Sequence, residues 1–393
     1  MSKVGKDMTY YDRLLDLRQE AGKRSIFLYG PRQVGKTALT KKLFPAARRY
    51  DLLLADLFLR LSQRPELIRE ELTAGNVDPD AGPVVIDEIQ KLPILLDEVH
   101  YLIEERKFRF LLTGSNARKF KRSQVNLLGG RARTRHLFPL ASAEIPGFDL
   151  LRAVQWGTLP PIYLSDEPEE DLLAYCGSYL QEEIKAEGIV RRVENFSRFL
   201  HTAALVNGEL VNFAGLSSDC GIPARTLREY FFILEETLVG ALLQPYQRTL
   251  HRKPVQTARF YFFDVGVANA LARRKHIAPG SELFGKALEH FIFTELRSRL
   301  SYSRDDRPLT FWRDQAGHEI DFILGDDVAI EVKATSMVTD KHLKTLRLEG
   351  VQKHFRQTLV VSLDPVPRTI DSIEIIPCLE FLNQLWSGRF DQV

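Results

Sequence analysis

Cysteine is scarce in this chain. Cys176, Cys220 and Cys378 are scattered and odd in number, which argues against a disulfide framework and against a CxxC zinc site. The nine histidines show no metal-ligand spacing. No run approaches the roughly eighteen apolar residues of a membrane span, and the N-terminus lacks a signal-peptide core. A reduced, soluble, cytoplasmic protein is therefore expected, with no membrane partner. Charge of one sign is not in excess either. Lys and Arg number 54 against 52 Asp and Glu, a net charge of +2, so nucleic-acid binding would have to come from local patches. Repeats and low-complexity tracts are lacking. What remains is a chain of 393 residues, 44% apolar, with material for about two to four well-filled domains.

Its most informative stretch is Gly30-Pro31-Arg32-Gln33-Val34-Gly35-Lys36-Thr37. An apolar run, Ser25–Tyr29, precedes it and reads as a buried strand; Ala38–Phe44 follows and reads as a helix. That order suits a phosphate-binding loop. Glycines let backbone N–H groups converge on phosphate oxygens, and the helix N-terminus adds a favourable dipole. Lys36 is placed to reach the β- and γ-phosphates and Thr37 to ligate Mg²⁺, which predicts nucleoside triphosphate binding. Downstream, Pro83-Val84-Val85-Ile86-Asp87-Glu88 is an apolar strand ending in two acids. In a doubly wound sheet, ligands sit at the carboxyl ends of the strands. Asp87 is then expected near the metal, and Glu88 is expected to polarise the attacking water. A third strand, Phe108–Thr113, leads to Gly114-Ser115-Asn116, where Asn116 or Ser115 could hold that water or sense the γ-phosphate; the same residues also suit a helix cap.

Residues 1–24 read as a short amphipathic helix with Tyr10, Leu14, Leu15 and Leu17 on its apolar side. From Asn116 to His136 there are seven Lys or Arg and no acid. This is either a solvated basic face, a surface that tracks a phosphate backbone, or the site of an arginine finger, Arg131, reaching a γ-phosphate of its own or a neighbouring subunit. Residues 141–200 read as a helical lid, with a long helix over Asp171–Arg192. Residues 201–272 fit a winged helix: helices at Leu210–Asp219 and Ala224–Thr237 about a Gly221-Ile222-Pro223 turn, then strands at Leu242–Tyr246 and Arg259–Phe263. Arg225, Thr226, Arg228 and Glu229 would project from the second helix, and the strand loop carries Arg248, His251, Arg252 and Lys253. DNA and protein both remain open as its partner.

The last segment, 273–393, holds a second constellation. His318–Leu324 and Val328–Lys333 form a hairpin in which alternation puts Ile320, Phe322 and Leu324 on one face and Glu319 and Asp321 on the other. Glu331 and Lys333 likewise oppose Val328, Ile330 and Val332. An Asp followed across a hairpin by Glu-x-Lys is a metal-nuclease arrangement. Asp321 and Glu331 would hold Mg²⁺ or Mn²⁺, Glu289 from a preceding helix could add a carboxylate, and Lys333 would orient the attacking water. The bland alternative is a half-buried sheet whose wet face is charged.

Together, Gly30–Thr37, Ile86-Asp87-Glu88-Ile89-Gln90-Lys91, Leu112–Ser115, Gly129-Gly130-Arg131, Phe138-Pro139-Leu140, Tyr179–Ile184, Tyr261–Gly266 and Trp312-Arg313 through Glu331-Val332-Lys333 resemble a family of prokaryotic AAA+ ATPases whose C-terminal part was long labelled a domain of unknown function. Glu182-Glu183 and Asn116 depart from its commoner form without removing a chemical capability. The resemblance covers nearly the whole chain. It implies an α/β protein with an AAA+ P-loop core (1–140), a helical lid (141–200), a winged helix (201–272) and a restriction-endonuclease-like α/β domain (273–393). The expected activity is ATP hydrolysis acting on DNA, branched or single-stranded, in repair, recombination or defence, in a homo-oligomer. The rival expectation is a nucleotide-gated signalling or scaffolding ATPase with protein partners.

Overall fold

The computed structural model describes residues 10–75, 77–115, 128–179, 193–250 and 253–391. The expected sensor Asn116 and the acid pair Glu182-Glu183 lie outside them, as do His251 and Arg252. The chain divides into two compact units, one made of Arg13–Phe138 with Glu236–Val239, the other of the remainder.

In the first unit, strands β1 (Ser25–Tyr29), β2 (Arg49–Asp51), β3 (Val84–Asp87), β4 (Phe110–Gly114) and β5 (Ala132–His136) form a parallel sheet in the order β2-β3-β4-β1-β5. β1, β3 and β4 are buried throughout, as unbroken apolar runs in a parallel sheet require. β5, with Arg133 and Arg135, takes an edge, where both guanidiniums bond the buried Glu20. The segment before β1 differs from expectation. Among the described residues of that segment, only Arg18–Ala21 is helical, and Leu15 and Leu17 are buried while Leu14 is exposed. The two buried leucines are two residues apart, the spacing of one face of an extended chain rather than of a helix.

The second unit is built on eight strands: β6 (Gly240–Pro245), β7 (Arg259–Phe262), β8 (Leu309–Arg313), β9 (Glu319–Leu324), β10 (Val328–Lys333), β11 (Gln357–Ser362), β12 (Arg368–Ile370) and β13 (Ile373–Pro377). Their order is β12-β13-β11-β10-β9-β8-β6-β7. Phe291, Phe322, Ile330 and Leu359 belong to one apolar core, and Trp312, Ile323, Ala329 and Val360 to another, so the sheet is covered on both faces. This argues against the alternative of a half-wet sheet. Strict alternation fails once. Pairing runs Thr310–Ile323 and then Trp312–Ile320, two steps on β8 against three on β9, which is a bulge. Ile320 consequently joins the Trp312 core while Phe322 and Leu324 stay with the other.

Helices Phe213–Cys220 and Ala224–Glu236 lie where the two helices of a winged helix are expected, the first capped by Asn212 accepting from Ala214 and Gly215 N–H. The strands that follow do not close a separate domain. β6 pairs with β7 on one side and with β8 on the other, so one sheet runs through the expected boundary at 272/273. The expected lid is also reassigned. Residues 139–235 belong to this second unit; of the long helix expected over Asp171–Arg192 the described part is Pro168–Ala174 followed by a π-helical turn, Tyr175–Tyr179, and residues 180–192 lie outside the described residues. What holds this helical part is Asp264, which accepts from Thr158 and Val267 N–H while Gly157 passes against it. A Cβ on Gly157 (φ +76°) would come 2.0 Å from an Asp264 oxygen. Gly157→Ala is expected to cost on the order of 3 kcal/mol in urea unfolding.

Glu295 is buried beneath Ser142 N–H (2.9 Å), Ser142 Oγ (2.6 Å) and Trp386 Nε1 (2.6 Å). Burial pushes its carboxyl from 4.5 up to about 7. Between those values the unfolded chain releases a proton that the native state keeps, so stability falls as pH rises through that window. The loss from this group is about 3 kcal/mol by pH 7 and does not grow further above it. Glu295→Gln should flatten that slope in urea unfolding followed across the window. Among the described residues, no helix is long and apolar enough to cross a membrane.

Candidate active site

The loop after β1 leads into helix Lys36–Leu43, whose first residue is buried. Lys36 Nζ donates to the carbonyls of Gly30 (2.7 Å) and Pro31 (3.0 Å), so the ammonium lies within the curl of the loop. Gly30 is fixed by close approach: a Cβ there would sit 2.3 Å from the Leu137 carbonyl oxygen. Arg13, not anticipated from sequence, fastens the same loop by donating to the carbonyls of Val34 and Phe138, both at 2.7 Å.

Because β4 lies between β1 and β3, its end meets the acids that close β3. Asp87 is 1% exposed and accepts from Thr113 Oγ1 at 2.8 Å. Arg49 lies 3.5 Å from its other oxygen and donates to Thr40 Oγ1, one helical turn beyond Thr37. Burial raises the Asp87 carboxyl, against the hydrogen bond from Thr113 and the charge of Arg49, which lower it. Glu88 stands in the left-handed region (φ +59°), uncommon for a residue with a side chain and a conformation that places strain at the strand end. Its backbone N–H donates to Thr113 Oγ1, and its carboxylate accepts from Gln90 Nε2. Gln90 Nε2 also donates to Ser115 Oγ at 3.2 Å, which ties the acid to the end of β4. Gly30–Thr37, Asp87, Glu88 and Ser115 thus collect at the carboxyl edge of one parallel sheet. A hydroxyl at Thr37 and a buried carboxylate at Asp87 are the hard oxygen donors that suit Mg²⁺.

Arg131 is not at this edge. Ala132 pairs with Ser25 and His136 with Tyr29, so Arg131 sits beside the beginning of β1 while the loop follows its end. About five residues of strand, some 15 Å, separate the two. Arg131 bonds Glu104 there, which corrects the reading of a finger onto its own subunit's phosphate.

The second constellation does assemble, in the second unit. Glu289, Asp321, Glu331 and Lys333 come together as expected, joined by Arg259, Tyr261 and Glu319. Lys333 Nζ bonds Glu331 and lies 3.6 Å from Asp321. Arg259 lies 3.3 Å from Glu289 and 3.9 Å from Asp321, and it bonds Glu319. Tyr261 donates its hydroxyl to Glu289, and the Val332 N–H donates to Asp321 at 2.8 Å. Burial pushes Glu289 up to about 8 and Glu331 well above the carboxylate range. Burial opposes ionisation of Asp321 too, yet Lys333 and Arg259 hold it low. Two cations, Arg259 and Lys333, thus stand among four carboxylates. A divalent metal held by Asp321 and Glu331 would have to compete with Lys333 for both carboxylates. Among the described residues no group of three His, Cys, Asp or Glu could hold a metal ion, so the expected second Mg²⁺ or Mn²⁺ does not fit.

Three family models match the sequence in succession: an AAA domain over residues 22–146, a Domain of unknown function (DUF8612) over 147–277, and a Domain of unknown function (DUF4143) over 284–381. No curated protein matches. Among solved structures, a Signal Transduction ATPase with Numerous Domains (STAND) protein with a tetratricopeptide repeat sensor, from Pyrococcus horikoshii, is 15% identical over 77% of this chain. The chain spans 50% of that protein, and the TM-score of 0.22 gives the likeness no weight.

Proposed function

We propose, from the premise of an AAA domain at residues 22–146 ahead of a distinct C-terminal domain, that the protein hydrolyses ATP and uses the cycle to switch an effector body that does not cut DNA. The convergence of Lys36, Thr37, Asp87 and Glu88 on one sheet edge carries the first half of this reading. Loop N–H groups and Lys36 bind the phosphates. Thr37 and Asp87 would hold Mg²⁺, which would supply neutralisation of the phosphate charge. Glu88 orients the attacking water and takes its proton on a carboxylate oxygen, while Gln90 fixes where that oxygen stands.

The second half rests on the two cations that stand against the carboxylates of the second cluster. Helix Glu282–Ser303, strands β8 to β10, helix Glu349–His354 and β11 parallel to β10 follow in an order that supports the restriction-endonuclease-like reading. Cations standing against its acids favour binding over cleavage. DNA as the partner is a second reading, favoured by the helix-turn-helix and by Arg225, 92% exposed at the start of its second helix. Against it, Arg228 lies over the Phe213 ring and Arg225 approaches Glu229. ATP turnover measured with duplex, single-stranded and four-way-junction DNA at two salt concentrations separates these. Salt-sensitive stimulation supports DNA. Turnover indifferent to all three supports a protein partner, and no turnover under any condition contradicts the proposal.

A further inference from the structure

Arg259 leaves β7 and enters carboxylates carried by two other elements: Glu289 on helix Glu282–Ser303, and Glu319 and Asp321 on β9. It is 3% exposed, its Nε has no hydrogen-bond partner, and its guanidinium lies 4.7 Å from the centre of the Phe311 ring. A guanidinium buried this far is tolerated only where ion pairs and hydrogen bonds replace water, and removing one partner leaves an uncompensated charge. β7 is in turn bound to the helix-turn-helix. The Phe260 ring meets Phe231 edge-on at 4.8 Å, Gly208 N–H donates to the Phe260 carbonyl, and Val211 N–H donates to the Ala258 carbonyl. Asn207 accepts from the Phe262 N–H and contacts His290, which bonds the Phe262 carbonyl from the helix that carries Glu289.

We propose that Arg259 and Lys333 are built-in counter-ions that take the place of a divalent metal, so that the carboxylate cluster is an ion lock fastening β7 and the helix-turn-helix to β9, β10 and the Glu282–Ser303 helix. The cations come from two directions, Arg259 from β7 and Lys333 from the end of β10, and Asp321 is shared between them. Glu289 and Glu319 serve Arg259, and Glu331 serves Lys333. The proposal rests on the non-cleaving reading of this body but is separable from it.

The probe is Mn²⁺, followed by electron paramagnetic resonance on nucleotide-free full-length protein, with thermal unfolding alongside. Wild type should leave the free Mn²⁺ signal undiminished and its melting unmoved. Arg259→Gln combined with Lys333→Gln should melt lower without metal, bind Mn²⁺ about tenfold or more tighter than wild type, and recover stability on adding it. Arg259→Lys keeps the charge, folds, and should still refuse metal; it and the single Lys333→Gln variant, expected to bind Mn²⁺ more weakly than the double one, keep the test decisive if the double variant does not fold. Mn²⁺ bound by wild type and released by Asp321→Asn overturns the lock, as does a folded Lys333→Gln or double variant with no gain in affinity. A labelled-DNA cleavage assay on the same samples distinguishes the two readings. Cutting by wild type sinks the non-cleaving reading, whereas Mn²⁺ binding without cutting sinks only the lock.

Discussion

Glu88→Gln is expected to bind ATP with wild-type affinity and to hydrolyse it about a hundred to ten thousand times more slowly. The substitution removes the charge that accepts the proton of water but keeps the size and hydrogen-bonding reach of the side chain. Phosphate binding lies with the loop N–H groups and Lys36, which the change leaves alone. Gln90 and Thr113 still hold residue 88 at the end of β3, since one of those bonds goes to its backbone. Nucleotide affinity and single-turnover rate measured together check this; a rate within threefold or so of wild type would remove Glu88 from the role of base.

Gly30→Ala should be the most damaging small change in the loop. The added methyl would lie 2.3 Å from a backbone oxygen, Leu137 O, and 3.2 Å from Val34 Cγ2. A backbone carbonyl cannot rotate away as a flexible side chain would, and here the Leu137 N–H is engaged by the carbonyl of Tyr29. Either the strand end or the loop must shift. The overpacking costs about 1–3 kcal/mol of stability, and a displaced loop no longer aims its N–H groups at phosphate. Nucleotide affinity should fall by about a hundredfold, roughly 3 kcal/mol. Urea unfolding and calorimetry on Gly30→Ala check the two effects separately.

The nucleotide site was legible because its chemistry is local. Loop glycines, Lys36 and Thr37 are contiguous, and Asp87-Glu88 ends a run that can only be a buried strand. The partners that orient those acids were not legible, because Arg49 and Thr113 reach them only once β2, β3 and β4 are side by side, and Gln90 turns back onto Glu88 through a left-handed residue that no local pattern announces. In the second unit the hairpin gave away Asp321, Glu331 and Lys333, since a charged Glu-x-Lys at strand spacing stands out against apolar neighbours. Arg259 stayed hidden: it lies in a strand expected to be a wing, and only the β6–β8 pairing brings that strand into the C-terminal sheet. The bulge in β9 was hidden for a related reason, as alternation is read from one strand and a bulge is a property of two. Arg131 was misplaced within its own subunit because a basic run shows charge without showing which end of an edge strand it occupies.

Calorimetric titration of Mg·ATP into wild type and Lys36→Ala tests the central claim most directly. The predicted result is saturable binding by wild type with a stoichiometry of about one per chain, and loss of affinity by about a hundredfold or more in the variant. No heat of binding in folded wild type, or equal binding by both proteins, would contradict a triphosphate site built on this loop.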